Sequence, residues 1–365
     1  MIGEREEELM LATLRSGLLS LGPRAPEFEA ALARRIGAEH VSATSSGTAA
    51  LHLAIRAAGV EAGDEVLTTP FSFVASANCL LYEGAKPVFC DIDERTLNID
   101  PAAVEAAVGE RSTGLLPVHI FGYPADLPAL ECLAAKRGLW IVEDACEALG
   151  AVHRDGRQVG ARGNLATFGF YPNKQLTTGE GGALVSPTGE SKRRVDSERN
   201  QGRAPDMGWL DHDRLGFNYR LSDLACALGL AQLERLDQML ADRARVAARY
   251  AEALQGIEGL DLPCADAGGD RRSWFVYVVA LPRGRDRDFT IRALRERGVD
   301  SKPYLPAIHL MSFYRERFGH REGEFPVCED VAERSLALPF HPGLTEGEVE
   351  RVAAALMEAL ALTAA

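Results

Sequence analysis

Between about residues 40 and 190, short apolar runs alternate with stretches whose apolar positions recur at helical spacing. That alternation is the pattern of strand–helix–strand units, and it predicts a mostly parallel sheet covered by helices. Strands are expected at 65–68, 87–91, 115–120, 139–143, 167–171 and 183–185, with a strand-like segment at 40–43. Helices are expected at 48–58, 74–82, 101–108 and 127–137, with Pro101 suited to a first turn and Asp100 to its cap. A Ser222 start followed by Leu224, Leu228, Leu233, Leu236 and Leu240 predicts one long helix over 222–249, long enough to link two domains. A strand at 274–281 and helices at 289–297 and 346–360 complete the reading. The fold class is therefore α/β: a large domain, 1–240, with a mostly parallel central sheet flanked by helices, and a smaller C-terminal α+β domain, 241–365.

Length and charge narrow the possibilities. A chain of 365 residues exceeds the size at which one core usually stops growing, in keeping with two domains. A net charge of −13 argues against nucleic acid or an anionic membrane as partner, yet leaves room for a small anionic ligand in a local pocket. The seven cysteines are scattered without a CxxC pair, as expected of reduced thiols with no metal-binding role. The acidic start, Glu4 to Glu8, lacks the basic and apolar regions of a signal peptide. The most apolar later stretch, 275–281, is too short to span a bilayer. A cytoplasmic protein is expected.

Three segments carry candidate chemistry. Ser45, Ser46, Gly47 and Thr48 stand between a strand-like run and a helix, where free backbone N–H groups and the helix dipole can hold an anion; alone, such a segment is equally an ordinary helix cap. No GxGxxG or P-loop sequence is present, which leaves a dinucleotide or ATP cradle unsupported. Asp144 follows the apolar run Trp140–Ile141–Val142 at a strand's carboxyl end, the edge where parallel α/β sheets bind ligands; it also reads as a capping acid. Lys174 lies in a turn after Phe168–Tyr171 and before a Thr- and Gly-rich loop. A lysine withdrawn from water there offers an amine for imine formation; one left in solvent has no such role. Together the three meet the needs of pyridoxal 5′-phosphate (PLP): an anion site for the phosphate, an acid for the pyridine nitrogen and an amine for the aldehyde.

In these residues the chain resembles the DegT/DnrJ/StrS family of PLP-dependent sugar aminotransferases, which have fold type I. The resemblance runs from about Leu18 to Pro342 and is carried by Ser46–Leu51, Glu143–Asp144–Ala145, Tyr171–Pro172–Asn173–Lys174, Thr178–Gly182 and Asn218–Tyr219–Arg220. It implies that Gly47 and Thr48 hold the cofactor phosphate, that Phe73 stacks on the pyridine ring, and that Asp144 pairs with the pyridine nitrogen. Lys174 would be the Schiff-base lysine, and Asn218 would reach the phosphate of a neighbouring subunit, making the active unit a homodimer. Two positions depart from the commonest pattern: Gly169 stands where relatives often carry serine, and Glu147 where many carry glutamine near the cofactor's phenolic oxygen. An anion facing that oxygen would be repelled, so either Glu147 or the oxygen holds a proton, or Glu147 points elsewhere.

Lysine, where some relatives have histidine and dehydrate keto-sugars, favours transamination. The resemblance implies a two-stage exchange, with L-glutamate as amino donor and a nucleotide-linked keto-deoxysugar as acceptor. Acceptor contacts are expected within 199–203 and 302–309, from Arg203, Tyr304 and His309, with Arg220 and His119 as further candidates; Tyr304 and His309 read equally as packed residues of the small domain, and His119 as packed beneath the ring. A keto-cyclitol acceptor is the alternative within the same chemistry. A PLP-binding regulator without turnover is the alternative from another class, against which stands the absence of a basic patch or appended DNA-binding segment.

Overall fold

Why the strands read as near-continuous apolar runs is plain from their position: both faces of the sheet are covered. The computed structural model describes residues 2–204 and 211–362. Its main sheet contains β1 (His40–Thr44), β2 (Glu65–Thr68), β3 (Lys86–Phe89), β4 (Ser112–Leu116), β5 (Trp140–Asp144), β6 (Leu165–Gly169) and β7 (Gly182–Ser186). They lie in the order β1-β7-β6-β5-β4-β2-β3, parallel throughout except for β7, which runs against both neighbours. One core forms around the helix Gly47–Ala57, through Ala50, Leu51, Leu53, Ala54 and Ile55. A second holds Phe28, Leu32 and Ile36 of the helix Arg24–Ile36 together with Ala183 and Val185 of β7. A smaller antiparallel sheet, β8 (Tyr277–Ala280), β9 (Lys302–Pro303) and β10 (Ser335–Leu338) in the order β8-β10-β9, packs on the helix Glu346–Ala361.

The α/β expectation holds, and two local readings are revised. The helix expected over 222–249 is two helices, Asp223–Glu234 and Leu236–Leu254. Arg235 leaves helical geometry between them (φ −120°, ψ 13°), and its Nε donates to Glu6 Oε1 at 2.8 Å, giving a cation to a carboxylate that is 1% exposed. The second of these helices passes between cores: Leu236 and Met239 pack in one, and Val246, Tyr250 and Leu254 in the other. The strand expected at 115–120 is regular only to Leu116, because Pro117 has no N–H for the ladder; pairing with β5 resumes in a single bridge, Val118 to Asp144, with the His119 N–H donating to the Asp144 carbonyl at 3.0 Å, before the chain tightens into a 3₁₀ turn, Ile120–Gly122. The helices Glu4–Ser16 and Gly189–Glu198 and the strands β9 and β10 have no counterpart in the sequence reading. Among the described residues, no helix is long and apolar enough to cross a membrane.

Candidate active site

The site is built where β5, β6 and the helix after β1 bring their ends together. Asp144 closes β5 and is 4% exposed. Its Oδ1 accepts the Cys146 N–H at 3.1 Å and its Oδ2 the Ser76 hydroxyl at 2.7 Å. After β6 the chain turns through Phe170 to Gly181 and back into β7, with the Phe170 N–H donating to the Gly181 carbonyl at 2.8 Å and Thr178 N–H to the Phe170 carbonyl at 3.0 Å. Lys174 rides on this loop. Its Nζ lies 3.4 Å from Glu147 Oε1 and 3.9 Å from the centre of the Phe275 ring.

Glu147 is buried, and its Oε2 accepts the Phe121 N–H at 2.9 Å. Burial raises its pKa above the usual carboxylate range, a shift that Lys174 opposes. The folded protein therefore keeps this proton to higher pH than the unfolded chain, and the associated stability is lost as pH rises through the folded value. For the apoprotein, Glu147→Gln is expected to unfold like the wild type below about pH 4, near the unfolded carboxyl's own range, and at increasingly higher temperature than the wild type as pH is raised to neutrality and beyond. Thermal unfolding across that range checks this; parallel curves would contradict it.

The loop is held from behind. Arg243, 6% exposed, donates to the carbonyls of Phe275 (3.0 Å), Lys174 (3.1 Å) and Asn173 (3.4 Å). Burial lowers its pKa to about 10. Gln175 Nε2 bonds the carbonyls of Glu147 and Ser273 (3.0 Å), tying the same loop to the β5 edge. Neither residue featured in the sequence reading. The signal for Arg243 was present: it falls at helical spacing on the stripe of Leu236, Met239, Val246 and Tyr250.

The helix Gly47–Ala57 begins with Ser46, whose Oγ accepts the Ala49 N–H at 3.0 Å. The amides of Gly47 and Thr48, in the first turn, have no carbonyl within the helix to receive them. Space there is tight: a Cβ on Gly47 would lie 3.0 Å from Cys146 Sγ and 3.3 Å from Gly169 Cα. A Cβ on Gly182 would lie 2.5 Å from the Ser46 carbonyl oxygen and 2.7 Å from Gly47 N. Gly182→Ala is accordingly expected to push the helix start away, costing about 1–3 kcal/mol and weakening cofactor retention at least tenfold. Equilibrium dialysis against PLP measures that; wild-type retention would contradict it.

The remaining sequence candidates divide by burial. Phe73 is 63% exposed while Phe71 and Ser72 beside it are buried, so its ring is not part of the core. The Tyr304 ring meets Phe121 and Phe275 edge-on (centroids 5.5 and 6.2 Å), and burial and the charge of Glu147 push its pKa up. Arg220 Nη1 donates to Asn200 Oδ1 and Gln201 Oε1 (2.8 and 3.1 Å), Arg203 is half-buried with its carbonyl taken by the Ser197 hydroxyl, and Asn218 is exposed. His119, read as lying beside the cofactor ring or packing beneath it, is fully buried. Its Nδ1 accepts the Ala125 N–H, which puts the proton on Nε2, and that nitrogen donates to Glu143 at 3.2 Å. His153 lies beside this pair, but a protonated Nε2 on His119 offers no lone pair to a metal ion. His309 is likewise fully buried, with Nε2 on Glu329 at 3.0 Å and its ring against Phe325. Arg199 is spent on Glu29 and Asp196.

Residues 1–357 match the DegT/DnrJ/EryC1/StrS aminotransferase family. The chain belongs to this family. It is a PLP-dependent aminotransferase. The family member SpsC of Bacillus subtilis (strain 168), a spore coat polysaccharide biosynthesis protein, is 38% identical over 98% of this chain and 95% of its own. GDP-perosamine synthase of Caulobacter vibrioides is 37% identical over 93% of this chain and 91% of its own. Among solved structures, DesV of S. venezuelae superposes with a TM-score of 0.92 at 35% identity, covering 98% of this chain and 95% of that one. The residues present fit the family's cofactor: two unbonded amides with a threonine hydroxyl, a buried carboxylate held by donors on both oxygens, and an amine opposite.

Proposed function

We propose that this aminotransferase carries an amino group from L-glutamate to the ketone of a nucleotide-linked keto-deoxysugar. One observation carries the reading: Lys174 Nζ stands at Glu147, three residues beyond the buried Asp144, on the rim that also bears the open amides of Gly47 and Thr48. PLP bound here supplies an aldehyde for the donor's amine and a ring that withdraws electrons from the bond being broken. Gly47 and Thr48 would bind its phosphate. Asp144 would hold the pyridine nitrogen protonated, Phe73 would cover the ring, and Glu147, its pKa raised by burial, would stand near the phenolic oxygen. Lys174 takes the proton from the donor's Cα and returns it on the other side of the exchange.

The assignment of the acceptor is supported by relatives named for perosamine and spore coat polysaccharide synthesis. Tyr304 would line the acceptor's approach, with Arg203 and Arg220 toward its charged groups. Residues 1–240 would be the PLP-binding domain and 241–365 the small domain. The exposed Asn218 would complete the site of a second copy, giving a homodimer. Its compartment would be the cytoplasm, with which seven unpaired cysteines agree. The test follows the visible band of the bound cofactor. It should fall on adding L-glutamate and return with a nucleotide-linked 3-keto or 4-keto deoxysugar. Return only with a keto-cyclitol would overturn the acceptor, and no response to any amino donor would overturn the enzyme reading.

A further inference from the structure

Serine in the first turn of a helix ordinarily turns its hydroxyl back to a carbonyl three or four residues earlier. Ser76, in the helix Ala75–Tyr82, has such an acceptor in the Phe73 carbonyl at 3.2 Å. A closer one comes from 68 residues away: Asp144 Oδ2, at 2.7 Å. The hydroxyl has one proton, and the shorter contact to an ionised oxygen is the stronger. The Ser72 Oγ, 2.7 Å from Ser76 Oγ, must then be the donor of that pair. Ser72 and Ser76 are 3% and 2% exposed. The result is a buried, directional chain, from the Ser72 hydroxyl to the Ser76 hydroxyl to the Asp144 carboxylate.

We propose that Ser76, backed by Ser72, is a positioning residue that fixes the plane of the Asp144 carboxylate and stabilises its negative charge toward the cofactor's pyridine nitrogen. The inference rests on the reading of Asp144 given above. With Cys146 N–H on Oδ1 and Ser76 on Oδ2, the carboxylate cannot turn about its Cβ–Cγ bond without losing a donor. Cys79, Cys146 and Glu147 are titratable neighbours that interact with it, with Lys174 beyond Glu147, and none of the first three is a cation. The serine hydroxyl is thus a neutral donor in a place where a cation would compete with the ligand. The same short turn also presents the Phe73 ring, so one segment serves both the ring face and the acid.

The experiment uses the holoenzyme loaded with PLP labelled with ¹⁵N at the ring nitrogen. Ser76→Ala should move the ¹⁵N resonance toward that of an unprotonated pyridine and lower kcat about tenfold, as expected for one hydrogen bond to a charged group, with KM for the amino donor within twofold. Ser76→Thr should restore both, and Ser72→Ala should move both in the same direction by less. A Ser76→Ala enzyme with the wild-type resonance overturns the proposal, whether or not its kcat falls. Asp144→Asn separates the two layers: if it leaves the resonance unmoved, the reading of Asp144 fails; if it shifts the resonance while Ser76→Ala does not, only the present inference fails.

Discussion

Lys174→Ala is expected to abolish turnover while leaving the fold in place. Loss of the proton transfer alone accounts for about 10²–10⁴ in rate, and loss of the amine that exchanges with the donor removes more. The fold tolerates the change because the group left behind can adjust. Glu147, 3.4 Å from the missing amine, has its pKa raised by burial, and removing the opposing charge of Lys174 raises it further, so protonation rather than unfolding relieves the unpaired carboxylate. Arg243 holds the loop through carbonyls of Asn173 and Lys174, which alanine retains. Far-UV circular dichroism and thermal unfolding should match the wild type within a few degrees, and a single-turnover assay should find no product above background. Turnover above a trace would refute the assignment.

Asp144→Asn is expected to lower kcat by about 10²–10³, the range seen when one preorganised charge or donor is removed from a reaction centre. The substitution keeps size and planarity, and the oxygen facing Cys146 N–H can still accept. What it removes is the anion that favours a protonated ring nitrogen. Cofactor should also dissociate faster, so kcat after saturation with PLP and the rate of cofactor loss on dilution should be measured separately. A variant within tenfold of wild-type kcat would show that the ring nitrogen does not depend on this carboxylate.

The sequence made Asp144, Lys174 and the Gly47–Thr48 segment legible for one reason: each sits where an apolar run ends, so its place in a parallel sheet follows from the period of the pattern. Side chains placed by tertiary contact were not legible. His119 follows an apolar run as Asp144 does, but after the single Val118–Asp144 bridge the chain turns and the imidazole folds inward onto Glu143. For His309 the sequence left substrate contact and packing in the small domain equally open, and only the contact with Phe325 decides for packing. The break at Arg235 could not be read from leucine spacing, which continues across it, because its partner Glu6 lies at the other end of the chain. Ser76 was hidden for the opposite reason: a small hydroxyl in a buried helix carries no periodic signal, and its significance is visible only from the carboxylate it meets.

The reversed direction of β7 has a mechanical consequence. A parallel strand there would need a crossover excursion to reach it, and the amine would hang from a long connection. Running backward, β7 makes the Lys174 segment a hairpin whose two feet are bonded to each other, Phe170 to Gly181, at the rim beside β5. Amine and carboxylate are thereby mounted on the same rigid frame. Tyr304, by contrast, is tied through its carbonyl to Ser335 of the small sheet. Tyr304 is thus carried by the small sheet, whereas the Lys174 hairpin has its feet on the main one.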